Sequence, residues 1–248
     1  MCGRYTLTKK EHDTLASRFE AKLGDAVTES AVSSDGKEHG PPGVERFNVA
    51  PTQEVLAVVR DGEDAEREMR LLRWGLVPQW AKDLNAGYKM INAKSESLRK
   101  SPAFRPLVGK IRHRCLIVAD GFFEWMKAED PKQPRQPVHF TVDGGEPFAF
   151  AGLWTRAKID DQWIASCTLV TTQPNEVVSR VHDRMPVILA GTDAEAAWLD
   201  PATDADDAVE LCVPFPAERM ESALANPALN KVGGAHEGPA LLVAPAAS

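Results

Sequence analysis

The stretch Cys115-Leu116-Ile117-Val118-Ala119, followed at once by Asp120-Gly121-Phe122-Phe123-Glu124-Trp125, decides the fold class of this chain. Five successive apolar residues running into Asp-Gly read as a buried strand. Strand-like runs recur at Glu54–Arg60, Met69–Trp74, Val138–Val142, Phe148–Ala151, Trp163–Thr171 and Val187–Ala190. Helical patterns are fewer: 174–181, 193–199 and 204–211. A first amphipathic helix is announced by the capping-box spacing of Thr8-Lys9-Lys10-Glu11, with Leu15, Phe19 and Leu23 recurring at i+4. There is no internal repeat, no Gly-rich phosphate loop and no alternating strand–helix rhythm. The expected class is α+β, mainly antiparallel β with a few flanking helices.

One domain is expected over residues 2–215. Residues 24–45 are poor in large apolar side chains and carry Ser33-Ser34-Asp35-Gly36 and Gly40-Pro41-Pro42-Gly43, which read as a flexible inserted loop. Pro131 to Pro137 reads as an exposed connector. Residues 216–248 read as a C-terminal extension, Gly/Ala/Pro-rich and frayed after Gly233.

The chain has 248 residues, 43% of them hydrophobic, enough for a proper core. No apolar run approaches the ~20 residues of a membrane span and no signal pattern opens the chain, so a soluble, cytoplasmic protein is expected, nucleoid-associated when on DNA. None of the four cysteines forms a Cys-x-x-Cys pair, so no zinc site, and no other metal or cofactor, is expected. Cys115 and Cys167, in apolar runs, read as reduced core residues. Net charge is −7, but eight basic residues against one acid lie between Lys89 and Arg114, and seven acids without a base between Asp193 and Glu210. Such a basic stripe either holds a phosphate backbone or is a solvated face.

Cys stands at position 2, where removal of the initiator Met would leave an amine and a thiol on one residue. Left unperturbed, that amine titrates near ~8 and the thiol near ~8.5. An aldehyde meeting such a 1,2-aminothiol forms a Schiff base on nitrogen, and sulfur then closes a thiazolidine.

Six islands accompany Cys2: Cys2-Gly3-Arg4-Tyr5, Phe47-Asn48-Val49-Ala50-Pro51-Thr52, Trp74-Gly75-Leu76-Val77-Pro78-Gln79-Trp80, Ile91-Asn92-Ala93-Lys94-Ser95-Glu96, Asp120 to Trp125, and Val181-His182-Asp183-Arg184-Met185-Pro186-Val187. Together, from residue 2 to about residue 215, they resemble the SOS-response-associated peptidase (SRAP) family. The resemblance implies a barrel-like fold and a protein that recognises abasic sites in single-stranded DNA and links to them covalently through Cys2. The peptidase of the family name is taken to describe removal of the chain's own Met1. A monomer is expected, with no membrane partner.

The family pattern carries over residue by residue. Glu124, between Phe123 and Trp125, becomes the general acid/base, its pKa raised by an apolar wall. His182 is the second proton-transfer candidate and Asn92 a hydrogen-bonding partner of the sugar or thiazolidine. Arg4, Lys94 and Arg184 match positions that contact the DNA backbone; the family more often has Arg where Lys94 stands, and Tyr where Phe123 stands. Gly3 and Asn48 fall in the DNA-binding islands. Trp74, Trp80, Leu76 and Pro51 form either a wedge for unpaired bases or part of the core, whereas Trp154, Trp163 and Trp198 read as core. Two other functions fit the sequence: an amide hydrolase with Cys2 as nucleophile, and a noncovalent single-strand binding module.

Overall fold

The structure is a computed structural model describing residues 2–9, 11–28, 45–127, 134–233 and 236–245. Its strands are β1 (Arg4–Leu7), β2 (Lys22–Leu23), β3 (Arg46–Val49), β4 (Glu54–Val59), β5 (Glu68–Trp74), β6 (Asn92–Lys94) and β7 (Arg114–Ala119). They continue with β8 (Gly121–Trp125), β9 (Pro137–Val142), β10 (Phe148–Ile159), β11 (Gln162–Thr172), β12 (Met185–Pro186) and β13 (Met220–Leu224). Short helices α1 (His12–Arg18), α2 (Asp25–Thr28), α3 (Asn85–Tyr88), α4 (Arg105–Val108), α5 (Thr192–Trp198) and α6 (Ala205–Glu210) flank them.

β5, β4, β7, β10 and β11 pair in that order, all antiparallel. The last returns to the first through a parallel pairing, Ser166 with Arg73 and Cys167 with Trp74, which closes a five-stranded barrel. The second sheet runs β13-β9-β8-β1-β3. The fold is α+β and mostly antiparallel, as the strand-like runs indicate. β7 passes into β8 at Asp120, which joins barrel and sheet. Tyr5 packs between them, 5.4 Å from Trp74 and 5.8 Å from Phe150 between ring centroids.

Asp120 also fixes β1. Its buried carboxylate accepts from Thr6 Oγ1 at 2.6 Å and from Thr8 through N–H at 2.5 Å and Oγ1 at 2.6 Å. Thr8 is therefore no helix cap, and α1 starts at His12 without a side-chain cap. Tertiary hydrogen bonding to a carboxylate outcompetes the local capping box.

Other boundaries differ too. Of 174–181 only a 3-10 turn, Val178–Arg180, forms. In 187–190 there is one isolated bridge, Ile188 with Phe150, instead of a strand. Residues 25–28 of the expected inserted loop are helical, and 29–44 lie outside the described residues, as do 128–133 of the connector. Trp154 and Trp198 are buried, but Trp163 is 69% exposed on the β10–β11 hairpin. In the C-terminal extension β13 pairs with β9 along its length, and Leu229 and Leu241 are buried against Phe47 and Phe123, the second of them beyond Gly233, where fraying is expected. No helix among the described residues is long and apolar enough to cross a membrane.

The basic stretch splits. Lys89, Lys94, Lys100, Arg105, Lys110 and Arg112 are exposed, whereas Arg99 pairs with Asp206. Arg114 is fully buried and donates to the carbonyls of Trp198 (2.6 Å), Val108 (2.9 Å) and Asp200 (2.7 Å). It ties α4 and the end of α5 to β7 and is no phosphate ligand. Arg114→Ala leaves three carbonyls without a partner, so a loss of ~3 kcal/mol or more is expected in urea unfolding. Arg114→Lys should not restore it, because one ammonium lacks the planar fork that reaches three acceptors.

Candidate active site

β1 lies antiparallel to β8, with Arg4 opposite Phe123 and Thr6 opposite Gly121. The chain before Arg4 therefore runs beside the Glu124–Trp125 end of β8. Cys2 is fully buried there, its Sγ 3.6 Å from the Arg4 carbonyl. β6 runs parallel to β11 and brings in Asn92, whose Nδ2 donates to the Cys2 carbonyl at 2.8 Å. Asn92 Oδ1 is buried with no hydrogen-bond partner among the described residues. The amide thus faces Cys2 with its Nδ2 and keeps an acceptor with open capacity on its other branch.

Glu124 is 2% exposed, and its pKa is raised from the ordinary value near 4.5 to about 7. Burial is the main cause and the Asp183 carboxylate adds to it, while the amino-terminal charge opposes it. Burial also pushes the Cys2 thiol far up, and the neighbouring Glu124 charge pushes it further. The unperturbed value near ~8.5 for a free thiol does not hold here. At neutral pH the thiol keeps its proton, and Glu124, close enough to act on it electrostatically, can both take up and give up a proton.

His182 follows the turn Val178–Arg180 and is partly buried, which lowers its pKa; the amino-terminal charge lowers it further. Its Nδ1 meets both backbone groups of Arg184, the N–H at 3.0 Å and the carbonyl at 3.2 Å, which hold the ring in place. Asp183 Oδ1 lies 3.1 Å from the same Nδ1. Cys2, Asn92, Glu124 and His182, four islands in sequence, thus converge on the amino-terminal end of β1.

The expected DNA contacts divide. Lys94 is exposed, and Gly3, Arg4 and Pro51 are half-buried. Trp74 and Leu76 are 1% and 0% exposed, and Trp74 Nε1 donates to the Ile91 carbonyl at 2.9 Å, so both are core and no wedge. Trp80, six residues on, is 67% exposed and is the side chain free to stack. Its loop rests on the β10–β11 hairpin through Val77, Ala81 and Leu84. Arg184 is 9% exposed and bidentate to Glu96, at 2.5 and 2.9 Å, which holds the Glu96 carboxyl down at about 2. A phosphate would have to displace Glu96 to use it. Asn48 is 3% exposed, with its amide engaged by protein groups. Asp120, Glu96 and Asp183 escape sequence reasoning as partners of the site, although all three lie inside the quoted islands.

The family described as SOS response associated peptidase (SRAP) matches residues 1–232. "Abasic site processing protein YoqW" of Bacillus subtilis is 40% identical over 225 residues, 90% of this chain and 91% of that protein. "Abasic site processing protein HMCES" of Gallus gallus is 33% identical over 58% of this chain and 48% of its own. A crystal structure of a protein from Bacteroides thetaiotaomicron superposes with a TM-score of 0.78 at 21% identity, covering 98% of this chain and all of that one, which speaks for the fold. With the match running through the site islands and on through β13, the chain belongs to the SOS response associated peptidase family.

Proposed function

We propose that this protein handles abasic sites in single-stranded DNA by forming a thiazolidine between Cys2 and the ring-opened deoxyribose. The observation that carries the reading is the burial of Cys2 together with the buried carboxyl of Glu124, with Asn92 bonded to the Cys2 carbonyl. Both ring-forming atoms belong to Cys2, so Met1 must be removed first.

The amine of Cys2 attacks C1′ of the open aldehyde, forming the C–N bond. The amine proton leaves by way of Glu124 as the carboxylate, and Glu124 as the acid then protonates the hydroxyl that departs as water. The thiol adds to the imine carbon and its proton goes to nitrogen, with Glu124 relaying it. One water is released in all. Because the thiolate is the nucleophile, the buried thiol must give up its proton as it adds, and Glu124 is the buried carboxyl whose charge it feels. His182 serves the sugar oxygen and, in reversal, the ring nitrogen. Asn92 holds Cys2 by its carbonyl and offers Oδ1 to the product. Ring closure removes the imine whose C2′ protons would otherwise be acidic, which shields the strand from β-elimination.

Single-strand preference is supported by Trp80, exposed on a loop that also carries exposed Lys82 and Lys89. Base–aromatic stacking contributes ~1–3 kcal/mol per base. Trp80→Ala is expected to weaken binding to undamaged single strands about tenfold or more, measured by fluorescence anisotropy, with little change in thermal midpoint. The reading as a whole is tested on a denaturing gel after incubation with an abasic oligonucleotide. A heat-stable shifted band is expected; a complex that falls apart completely in denaturant would mean a noncovalent binding module.

A further inference from the structure

Residues 225–233 and 236–242 cross the ends of β1, β3 and β8, and they do so through specific bonds to the side chains placed there. Arg4 Nη1 donates to the Leu229 carbonyl at 2.7 Å and to Asn48 Oδ1 at 2.9 Å. Asn48 Nδ2 donates to the carbonyls of Lys231 and His236, both at 3.0 Å. Trp125 Nε1 donates to Asn230 Oδ1 at 2.9 Å, and the Trp125 ring lies under the guanidinium, 5.8 Å from Cζ. Asn230 Nδ2 in turn donates to the carbonyls of Arg135 (3.1 Å) and Pro227 (2.9 Å). Beneath this layer Phe47, Phe123, Leu229 and Leu241 share an apolar cluster.

A guanidinium has five N–H donors, two of them on Nη1. Both Nη1 donors of Arg4 are taken. Among the described residues no acceptor takes Nε or Nη2. That edge is a two-donor fork of the kind that matches two oxygens of one phosphate. An unrestrained arginine loses rotamer freedom when it binds, whereas one already fixed on its Nη1 side loses little at that moment.

We infer that residues 225–233 and 236–242 are a clamp that presents the Nε–Nη2 edge of Arg4 to one backbone phosphate, with Asn48, Trp125 and Asn230 as its positioning residues. The inference rests on the DNA reading above and deepens it. Asn48 acts through Arg4: its Oδ1 fixes the guanidinium, and its Nδ2 fixes the clamp.

The test is equilibrium binding of the full chain to an undamaged single-stranded oligonucleotide across a salt series, with a thermal unfolding curve for each variant. Each phosphate neutralised on a single strand contributes about −0.7 to the slope of log K against log salt. Arg4→Ala should flatten the slope by about that amount. Asn230→Ala should flatten it by part of that amount and weaken binding about two- to tenfold. Trp125→Phe keeps an aromatic ring and deletes the bond to Asn230, so it should act in the same direction, with the unfolding curve reporting any loss of packing. In the Arg4→Ala background neither change should add anything. A wild-type slope in both positioning variants, an effect that adds to Arg4→Ala, or tighter binding when the clamp is loosened would overturn the inference. So would an Arg4→Ala variant with the wild-type slope. Crosslinking through Cys2 is measured separately on abasic oligonucleotide, so failure of the clamp and failure of the thiazolidine reading are told apart.

Discussion

Cys2→Ala is expected to abolish the denaturation-resistant adduct with abasic single-stranded DNA altogether. The expectation follows from atom bookkeeping. The thiazolidine takes its nitrogen and its sulfur from one residue, and no other described side chain offers both. An alanine at position 2 still exposes an α-amine once Met1 is removed, so a transient imine remains open to it, and reductive trapping with borohydride should capture it. Cys2→Ser should behave in the same way, because a hydroxyl closes the corresponding oxygen ring far less stably. Noncovalent binding should persist in both variants: the Cys2 side chain is fully buried, while the cations and Trp80 that meet the strand are untouched. A full yield of heat-stable adduct from Cys2→Ala would place the linkage on another nucleophile.

Glu124→Gln is expected to slow crosslinking by about 10²–10⁴-fold, the usual worth of positioned acid–base catalysis. Glutamine keeps the shape and one acceptor but exchanges no proton. The pH dependence separates this from a packing defect. With Glu124 titrating at about 7, the wild-type rate should show an inflection near that pH, and the Gln variant should lack it. Stability gives a second signature with a definite sign. The folded-state pKa is raised from about 4.5, so between about 4.5 and about 7 the folded protein holds a proton that the unfolded chain releases. Stability from this group is complete below that window and is lost as pH rises through it. The Gln variant should not share that loss, so its urea midpoint should gain on the wild type between pH 5 and pH 8. If Glu124→Gln crosslinks at the wild-type rate and keeps the inflection, another group moves the protons.

How much of this was legible in the chain depends on what kind of contact carries each feature. The barrel strands were visible because β4, β7 and the first half of β10 are near-continuous apolar runs, and β5 and β11 keep bulky apolar residues between their polar ones. Strands β1, β3, β6 and β13 were not: they are short, and tertiary pairing rather than periodicity makes them strands. Cys2, Asn92, Glu124 and His182 were legible through their motifs, since each brings a group the chemistry needs. The fate of individual side chains within a motif was not. Trp74 and Trp80 lie six residues apart in one island, yet a hydrogen bond to the Ile91 carbonyl buries the first and leaves the second in solvent. Arg112 and Arg114 are two apart in one basic run, and only Arg114 turns inward onto three carbonyls. The clamp was the least visible element. Its anchors on Arg4 and Asn48 are the backbone carbonyls of Leu229, Lys231 and His236, which every residue carries, so composition says nothing about them.

The central claim is tested most directly by mass. Protein and abasic oligonucleotide are incubated at neutral pH, the DNA is digested with nuclease, and the amino-terminal peptide is sequenced by tandem mass spectrometry. The peptide should begin at Cys2, without Met1, and should carry the deoxyribose remnant with the loss of one water. Fragmentation should hold the modification on Cys2 alone, and the thiol should be closed to alkylation. A modified peptide that still begins with Met1, a thiol that alkylates freely in the adduct, or a remnant found on a lysine would contradict thiazolidine formation at Cys2.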